Sequence, residues 1–257
     1  MAEILARVPP QYRRPEILSA IIVIAVLAII EIGVSVGLIS PILLRQPTVV
    51  FADLVRNLGD PSIRMDLYAT AKRVLSTFFI SIVGGGLMSL TLWRYELLRK
   101  AYLPLLGAIF GTPLVLLYLV FVVLFGRGTA AIVAISIPLG IIPIVINATD
   151  ALSNVEEVYT DTARSFNATK TQMLRKVIIP DAAPDIFTGI RIGFSYIVIS
   201  VTAVEFLLVI HEGLGGMIAS AYFRFKTTQM FVGITLVVLI VIAAIFVLRQ
   251  MEAAIRR

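Results

Sequence analysis

Two acidic residues, Glu31 and Glu205, lie inside long apolar runs of the sequence. A carboxylate at membrane depth is costly, so it normally faces other protein groups or water. Neither acid has a basic residue at helical spacing along its own segment. We expect each of them to accept structural hydrogen bonds, with direct contact to a bound solute as the alternative.

The sequence lacks the residue patterns of the common catalytic and nucleotide-binding sites. It contains neither a Gly-x-x-x-x-Gly-Lys-Ser/Thr motif nor a Gly-x-Ser-x-Gly motif. Cysteine is absent, and the single histidine, His211, leaves little room for a metal cluster. We therefore predict no catalytic residue, no metal site and no cofactor in this chain.

The composition is that of a membrane protein. Of 257 residues, 59% are hydrophobic and 15% are charged, and the mean hydropathy is +0.97. A soluble domain of this size does not need so much apolar surface. The net charge of +6 would fit nucleic acid in a soluble protein, but in a membrane protein it indicates basic cytoplasmic loops. We predict a lipid environment and no nucleic-acid partner.

Six apolar segments approach the roughly 20 residues that a bilayer-spanning helix requires. The sequence therefore predicts an all-α protein with one polytopic domain over 1–257, in which 17–39 is a retained anchor and 67–248 is the core. The predicted spans are Ile17–Ile39, Leu67–Trp93, Ala101–Phe125, Thr129–Ala148, Asp185–Ile210 and Gln229–Leu248.

The distribution of basic residues predicts the orientation. With the N-terminus inside, fourteen of the 22 Lys and Arg residues fall on the cytoplasmic side and eight on the outer side. Basic residues are enriched in cytoplasmic loops. Both termini and the segment 151–191 are thus predicted to be cytoplasmic. On the outer side, a short helix is expected from an N-cap at Thr48 to Gly59, lying flat on the surface.

The segment 151–191 is the longest polar stretch and is predicted to fold beside the membrane rather than across it. Ser153 and Glu156 have the spacing of a capping box, which predicts the start of a helix there. Tyr159, Ala163 and Phe166 then recur at i, i+4 and i+7, which gives this helix one apolar face.

A turn and a second helix are predicted to follow. Asn167 suits a left-handed turn position. Thr169 and Gln172 have the spacing of another capping box, and Pro180 is expected to end the second helix. Two capped, amphipathic arms joined by a turn favour a docking surface over a merely solvated loop.

This segment resembles the "EAA" loop of ABC-importer permeases, in which an E-A-A triplet is followed by Gly and then by an I-x-L-P ending. The corresponding residues here are 161–163 (Asp-Thr-Ala), Asn167 and 178–180 (Ile-Ile-Pro). The departures keep an acid near the helix start and a residue that tolerates a left-handed turn. Segments 67–78 and 205–215 are also similar to the second span and to the link between the last two spans of the nitrate/sulfonate/taurine group.

The resemblance implies the transmembrane subunit of a type I ABC importer in a bacterial or archaeal cytoplasmic membrane. It implies two ABC ATPase subunits that bind ATP and Mg, a second permease copy, and a periplasmic or lipid-anchored solute-binding protein. The solute would be a small organic or inorganic anion such as a sulfonate, nitrate or an aromatic acid. A heterocyclic vitamin precursor is the alternative solute for this group. The ATPase-coupling loop, 151–180, would use Glu157, Tyr159, Asp161, Thr162, Ala163, Arg164, Phe166, Asn167, Ala168 and Pro180.

The expected solute pathway follows the proline-bearing spans and the fifth span. Its candidate residues are Glu31, Pro113, Ser136, Pro138, Ser200 and Glu205. The glycines at 84–86 are expected to allow close helix packing. The alternatives are an ion-driven secondary transporter or channel, which would lack a docking helix, and an intramembrane enzyme, for which the sequence offers no nucleophile–base pair.

Overall fold

The structure is a computed structural model that describes residues 15–210 and 212–255, and all regular elements within these ranges are helical. The predicted all-α, polytopic fold is confirmed. His211 and the charged residues near both termini that entered the orientation argument lie outside the described residues. The helices are α1 (Pro15–Ser35), α2 (Pro47–Asn57), α3 (Pro61–Arg94), α4 (Glu96–Phe110), α5 (Tyr118–Phe125, after a 3-10 turn at Leu114–Leu117), α6 (Thr129–Ser153), α7 (Glu157–Ser165), α8 (Lys170–Met173, followed by a π-helical stretch at Leu174–Ile178), α9 (Ile179–Leu208), α10 (Leu214–Phe223) and α11 (Thr227–Ile255).

Within the described residues, five helices are long and apolar enough to cross a membrane, and one bent pair brings the number to six. The third predicted span, Ala101–Phe125, is that pair and is not one continuous helix. Its halves, Glu96–Phe110 and Leu114–Phe125, meet at 81°. The break includes Pro113, which has no backbone N–H to donate and whose ring disfavours a helical conformation at the preceding residue.

Helix α6 is the most buried span and packs against both α3 and α9. Glycines allow the close approach on both sides. A Cβ on Gly193 of α9 would lie 2.7 Å from the carbonyl oxygen of Gly140 in α6, and a Cβ on Gly85 of α3 would lie 2.9 Å from Ile144. The glycines at 84 and 85 thus serve the close packing that was predicted, whereas Gly86 has open space beside it.

The segment between the last two spans forms a buried helix that the sequence analysis did not predict. Helix α10 has seven buried residues, among them Leu214 and Ala219. Its start packs tightly, because a Cβ on Gly215 would lie 2.3 Å from the carbonyl oxygen of Thr202. A ten-residue helix is too short to cross a bilayer, so α10 is part of the protein interior near one end of the bundle.

Helix α2 confirms a short helix in this region but not its predicted cap. The residue before it is Gln46, which makes no side-chain cap, and Pro47 occupies the first turn, where its missing N–H costs nothing. Thr48 instead donates from its backbone N and its Oγ1 to the carboxylate of Glu31, at 3.0 and 2.7 Å. Glu31 therefore ties the end of α1 to the start of α2.

The next helix, α3, begins with a capped turn. The carboxylate of Asp60 accepts hydrogen bonds from the backbone N of Ser62 at 2.8 Å and from its hydroxyl at 2.9 Å. These two bonds favour the ionised form and hold the pKa of Asp60 below its usual value.

The helix bundle has two ends. Asp60 and α2 lie at one of them. Residues 154–178 lie at the opposite end, which we call the loop end.

Candidate functional site

The first arm of the predicted coupling loop is helix α7, and it begins later than expected. It spans Glu157–Ser165, and its N-cap residue, Glu156, makes no side-chain cap. Ser153 does not form the predicted capping box. It is the last residue of α6, and its hydroxyl donates to the carbonyl oxygen of Thr149 at 2.7 Å. The hydroxyl is thus used by the preceding helix.

The turn after α7 has the geometry of a Schellman motif, a left-handed turn that satisfies the last carbonyls of a helix. Asn167 has a φ of +54°, as the sequence predicted. The backbone N of Asn167 donates to the carbonyl of Arg164 at 2.9 Å, and the N of Ala168 donates to the carbonyl of Ala163 at 3.1 Å. The direction in which the chain leaves α7 is therefore fixed by backbone hydrogen bonds.

The apolar residues of α7 and its C-cap residue, Phe166, divide between two surfaces. Val158 and Phe166 project outward, with 65% and 82% of their surfaces exposed. Tyr159, Thr162 and Ala163 instead line a groove of about 490 Å³ between the two arms, which also includes Pro180. The exposed Asp161 pairs with Arg164 at 2.9 Å. The arm thus presents two large apolar side chains that the described residues leave uncovered.

The second arm begins with the predicted capping box. Thr169 Oγ1 accepts from the backbone N of Gln172 at 3.3 Å, and the Gln172 side chain accepts from the backbone N of Thr169 at 2.8 Å. Pro180, however, does not end this helix. It lies in the first turn of α9, directly after the π-helical stretch at 174–178.

The helical path therefore runs unbroken from Lys170 to Leu208, over 39 residues. Pro180 has no backbone N–H to donate, and the wider π-helical turn before it is a local departure from the α-helical hydrogen-bond pattern that accommodates such a residue. Ile178 and Ala182 pack with Ala151 and Leu152 of α6 in one buried cluster. The second arm is consequently an extension of a membrane-spanning helix, held against the core.

A second group of functional candidates is a buried polar cluster near the opposite end of the bundle. Glu205 of α9 is fully buried. Its Oε1 accepts from Arg73 Nη1 at 2.6 Å, and its Oε2 accepts from Thr70 Oγ1 at 2.8 Å and from the backbone N of Gly215 at 3.0 Å. This carboxylate therefore has the structural hydrogen-bonding role that was favoured for it.

The same cluster fixes the chain between α9 and α10. Arg73 Nη1 also donates to the carbonyl of Glu212 at 2.8 Å, and the backbone N of Gly213 donates to Asp66 at 2.8 Å. Gly213 has a φ of +126°, and a Cβ there would lie 2.7 Å from both Arg73 and Glu205. A glycine is thus required for the backbone to reach the buried ion pair.

Helical spacing along α9 could not reveal the basic partner of Glu205, because that partner belongs to another helix. The partner lies 132 residues away on α3. A signal was present: Asp66, Thr70 and Arg73 recur at i, i+4 and i+7, which places three polar side chains on one face of a membrane-spanning helix.

The structure places the remaining pathway candidates in different surroundings. Ser136 and Ser200 are fully buried between α6 and α9, with their hydroxyl oxygens 2.8 Å apart. Pro113 is exposed at the break before α5, and Pro138 is partly buried in α6. Glu31 lies at the end of α1, bonded to Thr48.

Residues 81–257 match the family model described as "Binding-protein-dependent transport system inner membrane component". This chain belongs to that family. It is a transmembrane permease subunit of an ABC importer, and the recognition made from the loop motif is confirmed. The match includes α6, α7, the second arm and the Glu205 side of the polar cluster.

Similar proteins are permeases of several importers. The permease is 28% identical over 213 residues to the formylaminopyrimidine transport permease protein ThiX of Halalkalibacterium halodurans, with 83% of this chain and 84% of that one covered. It is 28% identical to the taurine transport system permease protein TauC of Escherichia coli, covering 79% and 75%. It is also 28% identical to the nitrate import permease protein NrtB of Synechocystis, covering 83% and 78%.

A solved structure, the inward-facing MetNI methionine ABC transporter, contains a chain with the same fold. The TM-score is 0.61 at 20% identity, and the match covers 77% of this chain and all of that one.

Within the described residues, no group of three His, Asp or Glu side chains is placed to hold a metal ion.

Proposed function

We propose that the permease docks an ABC ATPase through helix α7 and the turn at Asn167. The observation that supports this is the outward projection of Val158 and Phe166 from a helix whose exit is fixed by a Schellman motif. Large apolar side chains on a short, rigid helix suit insertion into a groove on a partner. Asp161, paired with Arg164, leaves a polar margin beside them.

The docking surface is joined to the membrane core by the second arm. Because the helix is continuous from Lys170 to Leu208, a displacement of the loop moves one end of a long lever. The other end holds Glu205 and its partners on α3 and α10. We propose that closure of the ATPases on ATP pulls the loop and tips α9 relative to α3, alternating access between the two sides.

The complete importer would contain two ATPase subunits carrying ATP and Mg, a second copy of this permease, and a periplasmic or lipid-anchored binding protein. The loop end, with both termini, would face the cytoplasm of a bacterial or archaeal cell, in agreement with the excess of basic residues there. This arrangement keeps ATP hydrolysis in a separate chain, since the sequence contains no phosphate-binding motif of its own.

The substrate class we propose is a small anion, such as a sulfonate, nitrate or an aromatic acid. The support is similarity to the taurine and nitrate permeases; similarity to the formylaminopyrimidine permease keeps a heterocyclic precursor as the second candidate. Uptake of labelled taurine, nitrate and an aminopyrimidine by cells that express the whole transporter distinguishes them. Saturable, ATP-dependent uptake of only the aminopyrimidine would exclude the anion assignment.

The proposed pathway is bordered by α4, α5, α6 and α9. Glu31 and Glu205 would act on it through structure, while Pro113 and Pro138 shape the helices that line it. Ser136 and Ser200 would meet water only when α6 and α9 separate during the cycle, since both are buried here. The permease has no native cysteine, so a cysteine at either position reports that separation. Failure of hydrophilic thiol reagents to reach it in every nucleotide state would exclude these two residues.

The docking proposal is tested by Phe166→Ser, which removes most of the exposed apolar surface at the turn. Ser165→Ala is the matched control, because the Ser165 side chain bonds only within α7, to the carbonyl of Asp161. We expect Phe166→Ser to reach the membrane at the wild-type level, to lose ATPase co-purification and to reduce uptake, while the control behaves as wild type. Wild-type ATPase binding and uptake by Phe166→Ser would contradict the proposal.

A further inference from the structure

An apolar groove of about 550 Å³ lies between α1, α2 and α11, near the opposite end from the coupling loop. Its walls include Leu27 and Ile30 from α1, Phe51 from α2 and Phe231 from α11. Helix α1 is the least buried of the spans, so the groove is a gap between this helix and the rest of the bundle. Its lining is almost entirely hydrocarbon, which suits a flexible alkyl chain.

The groove has a cationic end at Arg45. The same arginine also lines an adjoining polar pocket of about 400 Å³, together with Asp53, Lys226 and Gln229. The Nε of Arg45 is buried and has no hydrogen-bond partner among the described residues. Its guanidinium forms no ion pair with any residue in the described ranges. A buried, unpaired donor on a charged side chain calls for an anionic acceptor.

We propose that the groove and the pocket together form a phospholipid-binding site. One acyl chain occupies the groove between α1 and α11, and the phosphate binds the guanidinium of Arg45 in the adjoining pocket. Arginine suits this role because its planar fork donates two parallel hydrogen bonds to a phosphate. A lipid in this site joins α1 to α11, beside the direct hydrogen bonds between Glu31 of α1 and Thr48 of α2.

The charges of the polar pocket define the headgroup further. Arg45 and Lys226 supply two positive charges and Asp53 one negative charge, which matches a singly charged phosphodiester. A helix of a second copy of the chain, in contrast, would cover Arg45 with apolar surface and leave its charge unpaired, at a large desolvation cost. The amphipathic shape of the site therefore favours a phospholipid over another protein segment.

The test uses the full-length permease in its purified complex, stripped of lipid and titrated with dioleoylphosphatidylglycerol or dioleoylphosphatidylethanolamine while native mass spectra are recorded. Dioleoylglycerol, which has the same chains and no phosphate, is the ligand control. We expect retention of both phospholipids and not of dioleoylglycerol. Arg45→Gln should weaken retention about tenfold, the usual effect of losing a charged hydrogen bond, whereas Arg45→Lys should retain most of it.

Two further variants are a matched control for the arginine substitution and a test of the apolar half of the site. Arg56→Gln removes an exposed arginine of α2, outside both pockets, and this variant should bind lipid as wild type. Leu27→Trp fills the apolar groove from the exposed helix α1 and should reduce retention without a change at Arg45. Because about half of the Leu27 surface is exposed (46%), this variant tests the site even if Arg45→Gln fails to fold.

Three results would overturn the proposal. The first is equal retention of phospholipid by wild type, Arg45→Gln and Leu27→Trp. The second is equal retention of dioleoylglycerol and the phospholipids. The third is efficient disulfide formation between two copies carrying a single cysteine at Leu27 or at Phe231, which would show that a second permease copy fills the groove.

Discussion

The buried pair of Arg73 and Glu205 provides the sharpest test of the structure. Glu205 accepts three hydrogen bonds and is fully buried, and Arg73 is nearly so. Arg73→Met leaves the carboxylate without its counter-ion but retains the bonds from Thr70 and Gly215. Glu205→Leu leaves the guanidinium without its carboxylate. Each single change therefore strands one charge in the interior of a membrane protein.

The expected cost of each single change follows from the burial of the group it leaves behind. Removing one partner of a buried ion pair destabilises by about 3–5 kcal/mol, whereas replacing both partners with apolar residues is often close to neutral. The double variant here also leaves the hydroxyl of Thr70 and the amide of Gly215 without an acceptor, at about 1–3 kcal/mol each. We expect the double variant to be less destabilised than the sum of the two single variants, by at least about 1 kcal/mol.

The measurement is the free energy of unfolding in mixed micelles, followed by fluorescence of Trp93, the only tryptophan in the chain. Trp93 packs at the loop end of the bundle, so it reports unfolding of the core rather than a change beside the mutated pair. Lys72→Met is the control, because Lys72 is the exposed basic neighbour of Arg73. It should change the free energy of unfolding by less than about 0.5 kcal/mol.

Additive effects of the two single changes would refute the energetic coupling of Arg73 and Glu205. If the two single changes sum to the double change within about 0.5 kcal/mol, Arg73 and Glu205 are not energetically coupled. The ion pair would then not be the contact that holds α3, α9 and the start of α10 together. An Arg73→Met variant as stable as the Lys72→Met control would lead to the same conclusion.

Three further predictions each concern a single residue. Asn167→Val should strain the left-handed turn by about 1–2 kcal/mol and reduce ATPase co-purification, whereas Asn167→Gly should do neither. Equal co-purification by the two variants would show that the turn angle is unimportant. Gly193→Val places a Cβ 2.7 Å from the Gly140 carbonyl oxygen. This clash should lower the free energy of unfolding by about 1–3 kcal/mol. An unchanged free energy of unfolding would show that α6 and α9 are further apart. Asp60→Asn should be less stable than wild type at neutral pH, because ionised Asp60 caps α3. The difference should begin to shrink below about pH 4 and vanish as the pH falls through the lowered pKa of Asp60, where the carboxylate of the folded protein protonates. A difference independent of pH would show that the Asp60 charge contributes nothing.

The sequence alone determined the class of the protein and most of its spans, because hydropathy is a local property. Long apolar runs mark spans whatever they pack against. The turn at Asn167 and the capping box at Thr169 were also predictable, because both depend on side chains and backbone within a few residues. The family resemblance depended on the same local segment, and the match over 81–257 confirms it.

Errors in local prediction arose where a neighbouring element used the same residue. Ser153 has the right spacing for a cap, but α6 continues through it and binds its hydroxyl. Thr48 was a plausible N-cap, but Glu31 on α1 accepts both of its hydrogen bonds. Pro180 ends helices in general, yet here it follows a π-helical stretch and lies in the first turn of α9.

Only the tertiary structure decided which polar groups meet inside the membrane. Arg73 and Glu205 are separated by 132 residues, and no spacing rule connects two helices that are so far apart in sequence. Their contact depends on the close packing of α6 between α3 and α9, and on a glycine at 213 that lets the backbone approach the pair. The burial of Ser136 against Ser200 likewise depends on helix packing. A sequence specifies which residues a membrane can hold, but the partners of its buried charges follow from how the helices are arranged.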